Sequence, residues 1–226
     1  MAQLNPAIEY VRSAGDLVDI DKLKRLITEE PIIRSFEYVY TTVGAKEAQK
    51  MYSMYVSGDG LREQFESFMK KYVADNTAGR VTAITGITKE RAADVIRKTL
   101  AGDLSAGTDE MGRVLGTELK KQGARMSTWR ARVIARTEVV SSFNIGQQVG
   151  MEQTALDTGL QFNKTWLATM DNRVRDRHAN KNGQTAALDG FFIFDNGDMM
   201  KTPGDPSGSA ENVINCRCAL TYDKIM

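Results

Sequence analysis

The stretch Gly159–His178, "GLQFNKTWLATMDNRVRDRH", is where the chain changes its grammar. Upstream of it, apolar residues recur at three and four positions, the spacing of a helix face. Within it, Leu160, Phe162, Trp166, Ala168 and Met170 share one parity, the spacing of a strand with one buried side. The stretch then ends in a polar turn that crowds Asp171, Arg173, Arg175, Asp176, Arg177 and His178 into eight residues. This change predicts an α+β fold: a mostly helical N-terminal two-thirds, reaching about residue 158, and a small antiparallel β-containing C-terminal domain.

Downstream, "GQTAALDGFFIFDNGDMMKTP" reads as a hairpin, with Phe191 to Phe194 and Met199–Met200 as its arms. Asn196 and Gly197 supply the positive φ angles that a tight turn requires. "PGDPSGSAEN" is a loop and "VINCRCALTY" a last strand. Upstream, "DIDKLKRLITEE" places Ile20, Leu23, Leu26 and Ile27 on one face, with Pro31 ending the run. "EAQKMYSMYVSGDGLREQFESFMKKYV" reads as two helices joined at Gly58 to Gly60. Thr88 is a candidate N-cap for a helix that stops at Gly102, and a second helix runs from about Thr108 to Gly123. Ser127 to Thr158 reads as one helix, or as a helix bent near Gly146 and Gly150.

At 226 residues and 42 % apolar content, the chain can bury a core as one good-sized domain or two small ones. No apolar run approaches the roughly 18 residues of a membrane span, and the N-terminus lacks the basic-then-apolar order of a signal peptide. A protein made and used in the cytosol, or in something assembled there, is expected. The net charge of +1 conceals a pattern. Arg113 to Lys181 carries 12 Lys and Arg against 6 Asp and Glu, between segments that are slightly acidic. Such a block suits contact with nucleic acid or an acidic protein patch, or forms a solvated helix face. Arg125, Arg130 and Arg132 read as its exposed members, able to touch phosphate. Arg136 and Glu138, in the apolar setting of "RARVIARTEVV", suit either a buried paired network or a basic outer face.

The two cysteines, Cys216 and Cys218, stand one residue apart in "NCRC". On a strand their α-carbons are about 6.5 to 7 Å apart, at or beyond the limit for a disulfide. Same-face thiols can co-ligate a metal, and His178, the only histidine, with water or Asp171, would complete a tetrahedral zinc site. The alternative is two small buried apolar residues beside a hydrogen-bonded histidine. Asp171, Arg173 and His178 also have the types needed for acid/base work on a phosphate ester. Against that, Asp171 can cap a short helix while the arginines fix neighbouring backbone. Gly-rich phosphate loops, G-x-S-x-G and H-E-x-x-H are all absent.

Five segments in order, "ITGITKERAADVIRKTLAGDLS", "RARVIARTEVVSSFNIGQQVG", "KTWLATMDNRVRDRHANKNGQ", "FDNGDMMKTPGDP" and "NVINCRCAL", resemble the phage head morphogenesis family, the minor head proteins similar to protein F of bacteriophage Mu. The resemblance covers roughly Gly79 to Asp223 and divides the chain into a helical region 1–78, suited to docking on portal or capsid, and a family-like domain 79–226. It implies a non-enzymatic virion protein, present in several copies at the portal vertex or head interior and in the host cytoplasm during assembly. Its implied partners are the portal protein, the major capsid protein and packaged double-stranded DNA, with roles in head assembly and in DNA packaging or ejection; no membrane is involved. The family's motif positions fall on Arg136, Thr137, Glu138 and Asn144, on Trp166, Asp171, Arg173, Arg175, His178 and Gly183, and on Pro203, Asn215, Cys216, Arg217 and Cys218. Val174 stands where relatives commonly carry Thr, which removes a hydroxyl from any reactive centre. The resemblance also draws Cys216, Cys218 and His178 together, and leaves Arg217 as the partner for an acidic side chain. The competing expectation is a metal-dependent nuclease or group-transfer enzyme built on Asp171, Arg173 and His178. Toxin modules are fused behind this domain in some relatives, whereas this sequence stops soon after the cysteines.

Overall fold

The structure, a computed structural model, describes residues 2–14, 17–57, 61–100 and 108–225, with side chains at all of these except 2, 95–100, 108–116, 118–129 and 131. Gly58 to Gly60 and Gly102, expected as a joint and a stop, lie outside the described residues, as does the side chain of Arg125. The fold is α+β, and its helices are α1 (Asn5–Ala14), α2 (Ile20–Arg25), α3 (Glu30–Val39), α4 (Ala45–Tyr52), α5 (Arg62–Asn76), α6 (Ala78–Leu100) and α7 (Thr108–Thr158). After them come β1 (Phe162–Leu167), α8 (Asp176–Ala179), β2 (Thr185–Ala187), β3 (Phe192–Ile193), β4 (Met199–Met200), α9 (Ala210–Val213) and β5 (Ala219–Lys224). Among the described residues no helix is long and apolar enough to cross a membrane.

Contacts group the chain into two compact units: Met1–Ser35 with Ala78–Arg132, and Phe36–Thr77 with Val133–Met226. Residues 36 to 77 are thus grouped with the C-terminal part of the chain.

In the first unit, Leu4, Ala7, Ile8, Val11, Leu23, Ile27 and Ala92 form one apolar cluster. Asp19 caps α2, its Oδ1 accepting from the backbone N–H groups of Asp21 and Lys22 at 2.8 and 3.1 Å. Pro31 does not end a helix. It is the second residue of α3, where the missing N–H has no intrahelical partner to lose. Thr88 is likewise not an N-cap: it lies inside α6 and its hydroxyl donates to Ile84 O at 2.8 Å. The buried face formed by Val81, Thr85, Ala92 and Ala93 carries α6 through Gly86, whose cost of about 1 kcal/mol is too small to break it. α7 similarly runs through Gly123 without a stop.

In the second unit, α3 passes through a π-helical turn, Tyr40–Gly44, directly into α4. Gly146 and Gly150 lie inside the continuous α7. They are four residues apart and present bare backbone to Gly44 and Ala48, also four apart. A Cβ built on Gly146 would lie 2.2 Å from Gly44 O, and one on Gly150 would lie 2.3 Å from Ala48 O. Glycine is thus required there for the close approach of two helices. Tyr40 stacks on Tyr72 of α5 at 5.7 Å, and Met51, Met151 and Phe162 form a cluster where α4, α7 and β1 meet.

The sheet has the order β2-β1-β5, all antiparallel, with Thr165 opposite Thr185 and Trp166 opposite Leu220. β3 and β4 form a separate hairpin, as the Asn196–Gly197 signal predicts, but only Gly197 takes a positive φ, of 87°. Its N–H bonds Phe194 O, and Phe194 N–H bonds Asp198 O, the three-residue form of hairpin loop with glycine in the left-handed position. Behind the sheet, Trp166, Phe192, Phe194, Met200, Val213, Cys216, Cys218 and Leu220 form the core of this end.

Candidate functional site

The cysteines do not lie on the last strand. They precede β5, in a loop that starts after the one-turn helix α9. Both are nevertheless buried free thiols and the intervening Arg217 points elsewhere, so the same-face reading of "CRC" holds without the strand. The loop is fixed along its whole length. Thr137 Oγ1 of α7 accepts from Asn215 N at 3.0 Å, and Asn144 Nδ2 of α7 donates to Cys218 O at 3.1 Å. Arg175 donates to Ile214 O, so this arginine does fix neighbouring backbone. Asn215 itself adopts a φ of 57°, the left-handed region that asparagine enters more readily than other side chains. Upstream, Asp198 Oδ2 accepts from Ser209 N at 2.8 Å, Ser209 Oγ at 2.7 Å and Asn212 Nδ2 at 2.7 Å, tying the β3–β4 turn to α9. These donors, Ser209 foremost, hold the Asp198 carboxyl down at about 2.

His178 arrives from the opposite side, on α8. Its ring is 2 % exposed, packed edge-on to Trp166 at 5.8 Å and tilted against Phe194 at 5.6 Å. Nδ1 stands 3.2 Å from Cys218 Sγ and 3.7 Å from Cys216 Sγ, while Nε2 is buried without a partner. The three ligand atoms of His178, Cys216 and Cys218 lie within 4.8 Å of one another. The Cys218 N–H also points at Cys216 Sγ, 3.5 Å away. Electrostatically the two thiols divide. Cys218 is pushed down by the hydrogen bond from Cys216, helped by His178 and Trp166, and Cys216 is pushed up by the same neighbour and by burial.

Asp171 stands apart from that cluster. Its carboxylate takes a two-pronged contact from Arg217, at 2.5 and 2.7 Å, and its Oδ1 accepts from Arg173 N at 3.0 Å. Arg217 foremost, and then the Arg173 N–H, hold the Asp171 carboxyl well below the usual range. Its expected part in a tetrahedral metal site is therefore taken over by an arginine contact. Arg173 lies over the same acid at 3.5 Å. A cavity of about 230 Å³ opens beside these groups, with Arg136, Arg173, Arg175 and Arg217 on its wall and His178 and Cys218 at its floor.

The remaining expectations separate. Glu138 is buried and accepts from Tyr40 OH at 3.2 Å, whereas Arg136, two residues away, is exposed at the cavity. Arg132 is exposed as expected. Arg130 is not: it is half-buried and donates to Thr88 Oγ1 at 3.1 Å and Ile84 O at 2.8 Å, committed to the side of α6. Trp166 fills the core centre. One buried side chain escaped sequence reasoning altogether. Lys164 is fully enclosed on β1, its Nζ 3.4 Å from Gln148 Oε1, and burial pulls its pKa down to about 8. The signal was available, since Lys164 shares the parity of Phe162 and Trp166.

Compared with known proteins, residues 94–221 match the family model described as Phage Mu protein F like protein. Over 98 residues the chain is 35 % identical to minor head protein GP7 of Bacillus phage SPP1, covering 43 % of this chain and 31 % of that protein. Over 85 residues it is 35 % identical to the NAD(+)–arginine ADP-ribosyltransferase EFV of Enterococcus faecalis, covering 38 % of this chain and 17 % of that protein. The chain thus spans less than a third of the length of these relatives. No solved structure matches it significantly.

Proposed function

The chain belongs to the phage Mu protein F like family, and on that premise we propose that it is a minor head protein of a tailed phage, acting in head morphogenesis as a structural component. The observation that carries this reading is the extent of the family match, which takes in the cysteine loop, the arginine-walled cavity and all of α7. Within that role, the protein docks at the portal vertex, on the portal protein and the inner face of the major capsid protein, in several copies per head, and assists DNA packaging or ejection. Two features support contact with an anionic partner. The block from Arg113 to Lys181 is basic, and the cavity is lined by four arginines, Arg136, Arg173, Arg175 and Arg217, with no carboxylate among its lining residues.

The protein works without catalysis. The acid/base set of Asp171, Arg173 and His178 is spent on other partners, the aspartate on Arg217 and the imidazole on sulfur. The match to the ADP-ribosyltransferase covers too small a share of that enzyme to bring its activity with it. Copurification with portal protein and mature heads is the expected outcome of affinity isolation from infected cells; recovery only as free protein would overturn the assignment. If arginines contact DNA phosphates, retention on double-stranded DNA falls steeply with salt, whereas a flat response assigns the basic block to protein docking.

A further inference from the structure

The buried cluster of His178, Cys216 and Cys218 has a geometry that hydrogen bonding alone does not explain. A neutral imidazole has one N–H, and here Nδ1 faces two sulfurs at once while Nε2 faces nothing. One sulfur–nitrogen contact would satisfy a simple hydrogen bond; convergence of both thiols on one ring nitrogen is the arrangement of ligands that share one metal ion. For a tetrahedral ion with bonds of about 2.0–2.1 Å to nitrogen and about 2.3 Å to sulfur, the nitrogen–sulfur edge is about 3.6 Å. The two observed separations, 3.2 and 3.7 Å, bracket that edge.

We propose that His178 Nδ1, Cys216 Sγ and Cys218 Sγ bind one zinc ion. Two thiolates offset the divalent charge, so the occupied centre adds no net charge to the core formed by Trp166, Phe194, Val213 and Leu220. Two sulfurs and an imidazole are also the donor set that favours zinc over magnesium, calcium or manganese. The Cys218 N–H directed at Cys216 Sγ supports the sulfur as an anionic ligand. Binding displaces a proton from each thiol to solvent and changes no oxidation state. Among the described residues no fourth carboxylate, imidazole or thiol joins the cluster. His178 and Cys218 face the arginine-walled cavity, so a solvent oxygen from that side completes the tetrahedron. The ion is structural: it fastens α8 to the loop that leads into β5, joining two stretches 38 residues apart in sequence.

The test uses the full chain, purified under reducing conditions without chelator, and reads only the isolated protein, so it succeeds or fails independently of the head-assembly reading. Elemental analysis is expected to give about one zinc per chain, and stripping with a chelator to lower the thermal midpoint until zinc is returned. Cobalt(II) added to stripped protein should give the intense visible bands of a tetrahedral site and a sulfur-to-cobalt charge-transfer band. That readout needs no variant, which matters if Cys218→Ser fails to fold. Where the variants do fold, Cys218→Ser and His178→Ala should lose the metal, while Asp171→Asn should keep it. A folded, metal-free protein that gives no cobalt spectrum overturns the proposal. So does iron accompanied by inorganic sulfide, or a Cys216–Cys218 disulfide in the freshly isolated protein.

Discussion

Two regions of the second unit solve the same problem, holding one stretch of backbone against another, by opposite means. Where α7 crosses α4, Gly146 and Gly150 let backbone touch backbone with nothing between, and specificity comes from the absence of side chains. Where α7 meets the cysteine loop, the same helix reaches out with Thr137 and Asn144, and specificity comes from individual hydrogen bonds. The difference predicts different failures. A steric contact fails abruptly when an atom is added, whereas a hydrogen-bonded loop loses its ties one at a time.

The largest effect is therefore expected at Gly146. Gly146→Val puts a branched side chain into space already held by Gly44 backbone, and should cost more than about 4 kcal/mol, seen as loss of a cooperative thermal transition. Asn144→Ala strands the Cys218 carbonyl and should cost about 1–3 kcal/mol by urea denaturation, with the helix–helix contact intact. Lys164 sharpens the contrast through pH. Its folded pKa, about 8, lies below the ordinary 10.5, so between those values the unfolded chain holds the extra proton. Stability should thus rise with pH across that window, by on the order of 2 kcal/mol, and Lys164→Met should flatten the rise. Asp171 gives a slope of the same sign in the acid range. Its carboxyl is depressed by Arg217, so the contribution is present above the ordinary carboxylate pKa and fades as pH falls through and below it. Asp171→Asn should remove that acid-side slope in a pH series of thermal midpoints. The smallest effect belongs to Arg132→Ala, whose exposed side chain should change stability by less than about 0.5 kcal/mol.

Periodicity made the architecture legible: the switch from helix to strand spacing at Gly159 falls one residue after the end of α7, and the Asn196–Gly197 hairpin forms. Punctuation misled. Pro31, Thr88, Gly146 and Gly150 have the look of local signals to stop, start or bend, but each sits inside a helix. Only a partner helix, invisible in a linear reading, reveals that Gly146 and Gly150 are contact residues. At the cysteine loop, residue types and parity put Cys216 and Cys218 on one face, and the family resemblance added His178 to them and an acidic partner to Arg217; the structure has His178 beside both thiols and Asp171 on Arg217. What parity could not supply was the acid's identity, because Asp171 is 46 residues away from Arg217 and either a metal or a guanidinium would suit a carboxylate.

The interleaving of the two units also sets an order of events during synthesis. Tyr40 waits for Glu138, 98 residues later in the chain, and Tyr52 for Asp157, 105 residues later. At a translation rate of about 5–20 residues per second, Tyr40 and the face of α4 that carries Tyr52 emerge from the ribosome roughly 5 to 20 seconds before their partners on α7. The second unit is thus a high-contact-order assembly that closes late, and a nascent chain of this protein is exposed to chaperones and to premature association for most of its synthesis.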